Sequence, residues 1–309
     1  MEEIKVLADR IASNVERVII GKSSVVRLLL VAILCEGHVL IDDVPGVGKT
    51  MMARALAKSL GLSFHRIQFT PDLLPSDILG VNIFNQKTGD FEFKPGPILS
   101  QVILADEINR GTPKTQSSLL ECMEERQISV DGTTRKLPRP FLVIATQNPI
   151  EHYGTFPLPE AQVDRFLLRV HLGYPSSQDE KQIVLGQKLR HPIEEIEAVT
   201  SAEELLKIQQ KVKEVHVEES VQDYIVHLVE ETRKHERLFL GASPRGSLAL
   251  FKGAQALAAM QGRNYVLPDD VKALAIPVLA HRIIPRGARN WEASEEIMKS
   301  ILLKVAVPA

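Results

Sequence analysis

Short apolar runs at residues 38–41, 64–69, 102–105, 141–146 and 166–171 alternate with longer stretches of helical periodicity over the first 175 residues. Runs of four to six apolar residues set between helices are what strands covered on both faces look like. Five of them with helical crossovers predict a doubly wound, parallel α/β sheet. After Tyr174, Pro175, Ser176 and Ser177 the pattern becomes helical. Ser201-Ala202-Glu203-Glu204 has the spacing of a capping box, and Leu205, Leu206 and Ile208 lie on the helix it opens. Helical apolar spacing starts again near Glu218, Pro244, Pro268 and Ser294, punctuated by Gly241, Gly262 and Gly287. The expected organisation is an α/β domain over residues 1–177 and an all-helical domain over 178–309.

Two alternating segments interrupt the first domain. One is 81–84 and 91–93 around a turn at 87–90; the other is 127–130 and 133–137 around Asp131-Gly132, a strong hairpin signal. A five-stranded sheet needs neither, so they stand as decoration or as loops facing a pore or a partner.

Composition narrows the class. The 309 residues leave room for roughly two domains. With 44% hydrophobic and 25% charged residues, the chain reads as an ordinary globular protein with a real core. A net charge of −2 supplies no overall field to recruit nucleic acid or an anionic membrane. The apolar run at 28–35 is too short to span a bilayer, and the charged start MEEIKVLADR does not resemble a secretory leader. Cys35 and Cys122 lie far apart in apolar helical stretches and read as buried thiols, which fits a cytoplasmic protein. The nine histidines form no pair at metal-ligand spacing. His281-Arg282 and Lys234-His235 read as surface or lid-packing residues.

The chemistry starts at Asp43-Val44-Pro45-Gly46-Val47-Gly48-Lys49-Thr50, directly after the strand ending in Ile41. It matches the P-loop pattern except at its first position, where Asp43 replaces glycine. Gly46 and Gly48 can take backbone angles closed to other residues and turn successive N–H groups onto one phosphate. A helix opening at Lys49 adds its dipole. Lys49 would neutralise β- and γ-phosphate charge, and Thr50 would offer a hydroxyl to Mg²⁺. Pro45, Gly46, Val47, Gly48, Lys49, Thr50 and Met51 are thus the expected nucleotide-binding run. The strand at 102–105 ends in Asp106-Glu107, a Walker B arrangement. Asp106 would hold Mg²⁺ through its water shell, and Glu107 would act as general base on the attacking water. A third strand ends in Thr146-Gln147-Asn148-Pro149, where Asn148 can hold that water or touch the γ-phosphate.

The ordered series GHVLIDDVPGVGKT, VILADEINR, LLECMEERQISVDG, VIATQNP, LPEAQVDRF and GASPR resembles the MoxR family of AAA+ ATPases over nearly the whole chain. That resemblance implies a P-loop core with a helical lid, ATP and Mg²⁺ as ligands, and assembly into a homo-oligomeric ring, commonly a hexamer. It implies a chaperone-like role in maturing or remodelling partner complexes, often ones with a von Willebrand A domain. Asn148 then corresponds to sensor 1, and Arg165 to the arginine finger that reaches a neighbour's γ-phosphate. Two other readings stay beside Arg165: a helix-end arginine paired with Asp164, or Arg110 as the finger instead. Arg245 corresponds to sensor 2, acting on its own or a neighbour's nucleotide, and Ile20-Gly21 would lie against adenine. Both hairpins correspond to insertions of the helix-2-insert branch.

Three other readings share these motifs: a metal-chelatase motor subunit, a nucleic-acid motor, and a nucleotide-gated switch with negligible turnover. Glu107 argues against a pure switch. Lys87, Lys94, Arg135 and Lys136 give the hairpins few basic residues, and base-stacking aromatics are absent from the second. No nucleic-acid binding and no membrane insertion are expected.

Overall fold

The computed structural model describes residues 1–148, 154–186, 191–287 and 290–308; Pro149 lies outside the described residues. Helices α1 (Glu2–Glu16) and α2 (Ser23–Leu34) precede β1 (Val39–Asp42), which feeds α3 (Lys49–Ser59) through the glycine loop. Next come β2 (Phe64–Gln68), α4 (Pro75–Leu79), the hairpin of β3 (Gly80–Asn85) and β4 (Asp90–Pro95), then β5 (Val102–Asp106) and α5 (Pro113–Glu125). The second hairpin, β6 (Gln127–Val130) and β7 (Thr133–Lys136), leads into β8 (Leu142–Gln147). The short α6 (Glu160–Val163) precedes β9 (Leu168–Val170). The remainder is α7 (Ser177–Gly186), α8 (Ala202–Val212), α9 (Glu219–Lys234), β10 (Leu238–Leu240), α10 (Pro244–Met260), α11 (Pro268–Leu279), β11 (Ile284–Pro285) and α12 (Trp291–Lys304).

The five expected strands form one parallel sheet in the order β2-β5-β8-β1-β9. Side chains alternate between its faces, and both faces are covered. Val39, Ile41, Val102, Leu104, Leu142 and Ile144 enter the larger cluster, while Leu40, Ile103, Ala105, Val143 and Ala145 enter the smaller one. Burial on both sides is why the sequence shows continuous apolar runs rather than a period of two.

Among the described residues the C-terminal region is helical apart from a short antiparallel pairing of β10 with β11 and an isolated parallel bridge between His216 and Tyr265. Its last helix starts at Trp291, three residues before Ser294, because Asn290 caps it by accepting from the Ala293 N–H at 3.0 Å. At Ser201 only half of the expected box forms. The Ser201 hydroxyl accepts from the Glu204 N–H, but the Glu204 carboxylate turns to the Thr200 hydroxyl at 2.7 Å. Helix α1, with Ile4, Leu7, Ala8, Ile11 and Val15 on its buried stripe, packs against α2, α3 and α10, so the chain's start touches both regions. Among the described residues no helix is long and apolar enough to cross a membrane.

At the amino edge of the sheet, His38 is buried, and its Nε2–H donates to the Met123 carbonyl (3.2 Å) while Nδ1 accepts from the Val143 N–H (3.0 Å). Burial pushes its pKa down from 6.5 to about 4. Between those values the unfolded chain binds a proton that the folded chain refuses, so stability falls as pH drops through this window and levels off below it. At 1.36 kcal/mol per pH unit this is on the order of 3 kcal/mol. Denaturant unfolding at pH 7 and pH 4.5 should therefore show the wild type losing clearly more stability than His38→Gln. Equal losses would assign the acid sensitivity elsewhere.

Candidate functional site

The loop after β1 is built as the glycine pattern requires. Gly46 and Gly48 have φ of +86° and +93°, and a Cβ at either would project into open space, the hollow in which phosphate oxygens would sit. Asp43 is not among the residues with positive φ, so glycine is not needed there. Its side chain does separate work. The buried carboxylate accepts from the N–H groups of Val44 (2.9 Å), Leu172 (2.6 Å) and Gly173 (2.7 Å), tying the loop to the segment between β9 and α7.

Lys49 opens α3 and donates to the Asp43 carbonyl at 2.7 Å. Burial draws its pKa below the ordinary lysine value, while the charges of Asp106, Asp43 and Glu107 pull the other way. Those opposing charges come from two places, its own loop and the tip of β5, which places Lys49 near both Walker B carboxylates. Thr50 is half-buried in the first turn of α3, Val47 and Met51 pack against the core, and Pro45 and Gly46 are exposed.

Asp106 is buried at the tip of β5, with Oδ1 accepting from the Thr146 hydroxyl at 2.6 Å. Its Oδ2 takes Nε (3.0 Å) and Nη2 (2.7 Å) of Arg66. Glu107 has a left-handed φ of +54°, rare for a non-glycine, and its N–H donates to the same Thr146 hydroxyl at 2.8 Å. This backbone turn re-aims the side chain, whose Oε2 accepts from Gln68 (2.8 Å) and Arg110 (3.0 Å). Asn148, buried on the neighbouring strand end, has its carbonyl 3.5 Å from the Asn109 amide nitrogen. Asn109 keeps a buried Oδ1 with no hydrogen-bond partner. No group of three or more His, Cys, Asp and Glu side chains among the described residues could hold a metal. The donors therefore fit an ion carried on a nucleotide's phosphates, with Thr50 and Asp106 beside it, rather than a protein cage.

Gly21, next to Ile20, lies against the start of the C-terminal region. Gly21 has φ +73° and would meet the Asp179 carboxylate at 2.4 Å if it carried a Cβ, and the neighbouring Lys22 ammonium donates to the Tyr174 carbonyl at 3.0 Å. That segment continues from Leu172-Gly173, which the Asp43 carboxylate holds.

The remaining arginines divide by sheet edge. Arg110 sits beside its own Glu107 at the carboxyl edge. Arg165 precedes β9, whose Leu168 pairs with Val39 at the start of β1, so it stands at the amino edge. It does not pair with Asp164. That carboxylate accepts instead from the Ser243 hydroxyl (2.8 Å) and from Nε of the buried Arg282 (2.9 Å). Arg165 Nε lies 4.0 Å from Glu124 Oε2, and Arg245 holds the same carboxylate through Nη1 (3.0 Å) and Nη2 (2.8 Å). Glu124 lies in the last turn of α5, whose 13 residues span roughly 18 Å from the Walker B loop. The two arginines are thus gathered together, one helix length from their own Glu107. The pattern of polar positions foretold neither Glu124 nor Arg66 and Gln68. The latter pair occupies alternate positions of β2 beside β5, with Gln68 in register with Asp106.

The two hairpins lean on each other. The Asn82 amide donates to Asp131 at 2.7 Å, and the Arg135 guanidinium lies 3.9 Å over the Phe93 ring. One of the four basic hairpin residues is therefore committed within the protein.

A glycine-loop α/β sheet with two carboxylates at a strand tip one strand removed from that loop, and a helical region behind it, defines an AAA+ P-loop ATPase fold. The family model for ATPases associated with various cellular activities (AAA) matches residues 38–168, and that for the AAA lid domain matches 230–301. The chain is 50% identical to YeaC of Bacillus subtilis (strain 168), covering 99% of this chain and 97% of that protein. It is 43% identical to Chaperone MoxR1 of Mycobacterium tuberculosis, over 97% of this chain and 82% of that one. Protein MoxR of Paracoccus denitrificans is 32% identical, over 94% and 91%. A solved structure from Cytophaga hutchinsonii superposes with a TM-score of 0.89 at 40% identity, covering 100% of this chain and 97% of that one. The chain belongs to the MoxR family of AAA+ ATPases.

Restoring the missing glycine should do harm here. Asp43→Gly leaves the N–H groups of Leu172 and Gly173 without their acceptor, a loss of about 2 kcal/mol and hence about 3 °C in melting temperature for a chain of this length. Asp43→Asn, which keeps one acceptor oxygen, should lose less. Differential scanning calorimetry distinguishes the two, and an unchanged melting temperature in Asp43→Gly would remove the role assigned to the carboxylate.

Proposed function

We propose that this chain hydrolyses ATP at sites completed between subunits of a homo-oligomeric ring, a hexamer by family likeness, and uses the cycle to remodel or mature a partner protein. The observation that carries this reading is the gathering of Lys49, Asp106, Glu107 and Asn148 at the carboxyl edge beside the open hollow of Gly46 and Gly48. Loop N–H groups and Lys49 hold the phosphates, while Thr50 and Asp106 face the ion. Mg²⁺, when bound with the nucleotide, neutralises charge on the transferring phosphoryl group. Glu107 orients and deprotonates the attacking water, and Asn148 helps fix its place. Ile20 and Gly21 border the base.

Arg165 and Arg245 stand together on the far edge from their own loop, which supports both acting on a neighbour's γ-phosphate rather than on their own. A delocalised cation supplied in trans stabilises charge that grows in the transition state. Arg110, engaged with its own Glu107, fits the finger role less well. The printed name of the M. tuberculosis relative, a chaperone, supports a partner protein as the target. By family likeness that partner carries a von Willebrand A domain.

Phosphate release from ATP with Mg²⁺, measured over a protein concentration series, tests the proposal. Turnover per subunit should rise with concentration as rings form. Glu107→Gln should lower it about 10²–10⁴-fold while nucleotide binding persists. Activity per subunit that stays flat across dilution would remove the inter-subunit site, and turnover surviving in Glu107→Gln would remove its base.

A further inference from the structure

The surface at the amino edge carries an arrangement that the ATPase reading does not require. Two arginines from different elements share one carboxylate. Arg165 comes from the turn before β9 and Arg245 from the first turn of α10, while Glu124 comes from the last turn of α5. Arg245 meets Glu124 with both ends of its fork, and Arg165 approaches one of the same oxygens at 4.0 Å.

Beneath the heads lies a rigid platform. Asp164, the residue before Arg165, accepts from the hydroxyl of Ser243. Ser243 in turn caps α10 by accepting from the Arg245 N–H at 3.2 Å. The side chain of Arg282, 2% exposed, threads the same junction, donating to Asp164 and to the carbonyls of Phe166 (2.6 Å) and Leu167 (3.1 Å). The backbones that carry the two arginines are therefore locked to each other. Their guanidinium heads are not buried: Arg165 is 32% and Arg245 45% exposed, and Glu124 is 40% exposed. Two cations on flexible stems repel each other and would splay apart in water, losing rotamer freedom again each time they were brought together. A carboxylate between them opposes the repulsion and sets the spacing. The group remains one positive charge in excess, so it still attracts phosphate.

We propose that Glu124 is a positioning residue that aligns Arg165 and Arg245 as a pair for the γ-phosphate of a neighbouring subunit. This rests on the reading of both arginines as acting in trans. Glu124 touches neither the nucleotide nor the water. It acts through the two arginines, and because the contact is exposed it contributes little to folding.

The test compares wild type, Glu124→Gln and Glu124→Asp at protein concentrations where rings are formed. Glu124→Gln should lower kcat about 10-fold or more, with KM for ATP within about twofold and an unchanged melting temperature, since misplacing catalytic groups by about 1 Å costs up to about 10²-fold. Glu124→Asp should recover part of the loss. Mixing Glu124→Gln subunits with Glu107→Gln subunits should restore turnover above either alone, because each intact arginine pair then faces a site with an intact base. Sedimentation with a non-hydrolysable ATP analogue reads the same contact without turnover, and Glu124→Gln should need about fivefold more protein to assemble. Wild-type or faster turnover in Glu124→Gln with unchanged assembly overturns the proposal. So does a mixture no more active than the sum of its parts. A wild type that assembles on the analogue yet releases no phosphate would sink the hydrolysis reading, and the assembly shift would still decide on Glu124.

Discussion

Five strands running the same way leave a sheet with two unlike edges, and each functional residue of this chain is defined by the edge it occupies. Because β1 pairs in parallel with both β8 and β9, the loop after β1 lies beside the tip of β8, and the residues before β9 lie beside the start of β1. The first edge gathers Lys49, Asp106, Glu107 and Asn148. The second gathers His38, Glu124, Arg165 and Arg245. In the proposed function, the loop that binds and the arginines that complete a site are kept apart by strands and by the length of α5, so one subunit would not supply both ends of the reaction to itself. On that proposal assembly would follow from topology, and a ring would be the means by which the two edges meet.

Much of this was legible before the structure. The five strands announced themselves because double burial turns each into an uninterrupted apolar run, and the loop chemistry is local: Gly46, Gly48, Lys49 and Thr50 lie within five residues. What could not be read depends on distant contacts. Asp43 looks in the sequence like a tolerated departure from glycine, and its task becomes visible only when Leu172 and Gly173, 129 and 130 residues away, donate to it. Glu124 stands in a run with Glu121 and Glu125, and no periodicity distinguishes the one that faces two arginines. Arg282 reads as a surface or lid-packing residue; it is buried, and its link to Asp164 joins elements 118 residues apart. Helix α1 carries a plain 3.6-residue stripe, but its packing partners are set by tertiary structure alone.

The ion pairs on the amino edge separate by burial into two kinds. Arg282 is buried against a part-buried Asp164, and removing the carboxylate would strand the arginine's charge at a cost of up to about 3–5 kcal/mol. Glu124 with its two arginines is solvated and contributes about 0–1 kcal/mol. Burial pulls the Arg282 pKa down to about 10, still above neutrality, so this arginine keeps its charge while the platform holds. A fixed base with cheaply rearranged heads suits groups that must keep their place and yet exchange one anionic partner for another.

Asp43 makes the corresponding link on the carboxyl edge. Its carbonyl accepts from Lys49 and its carboxylate holds Leu172-Gly173, the start of the passage toward α7. A lysine ammonium has three donors, so Lys49 can keep the Asp43 carbonyl while reaching a phosphate oxygen. The loop then need not open to receive charge, and its geometry is fixed by bonds it already makes. Because the same aspartate grips the passage that runs on to Asp179, over Gly21, the phosphate end and the base end of the expected nucleotide position share one anchor. A glycine at position 43 would keep the loop's shape and lose that grip. This accounts, in physical terms, for why the one departure from the pattern is an acid.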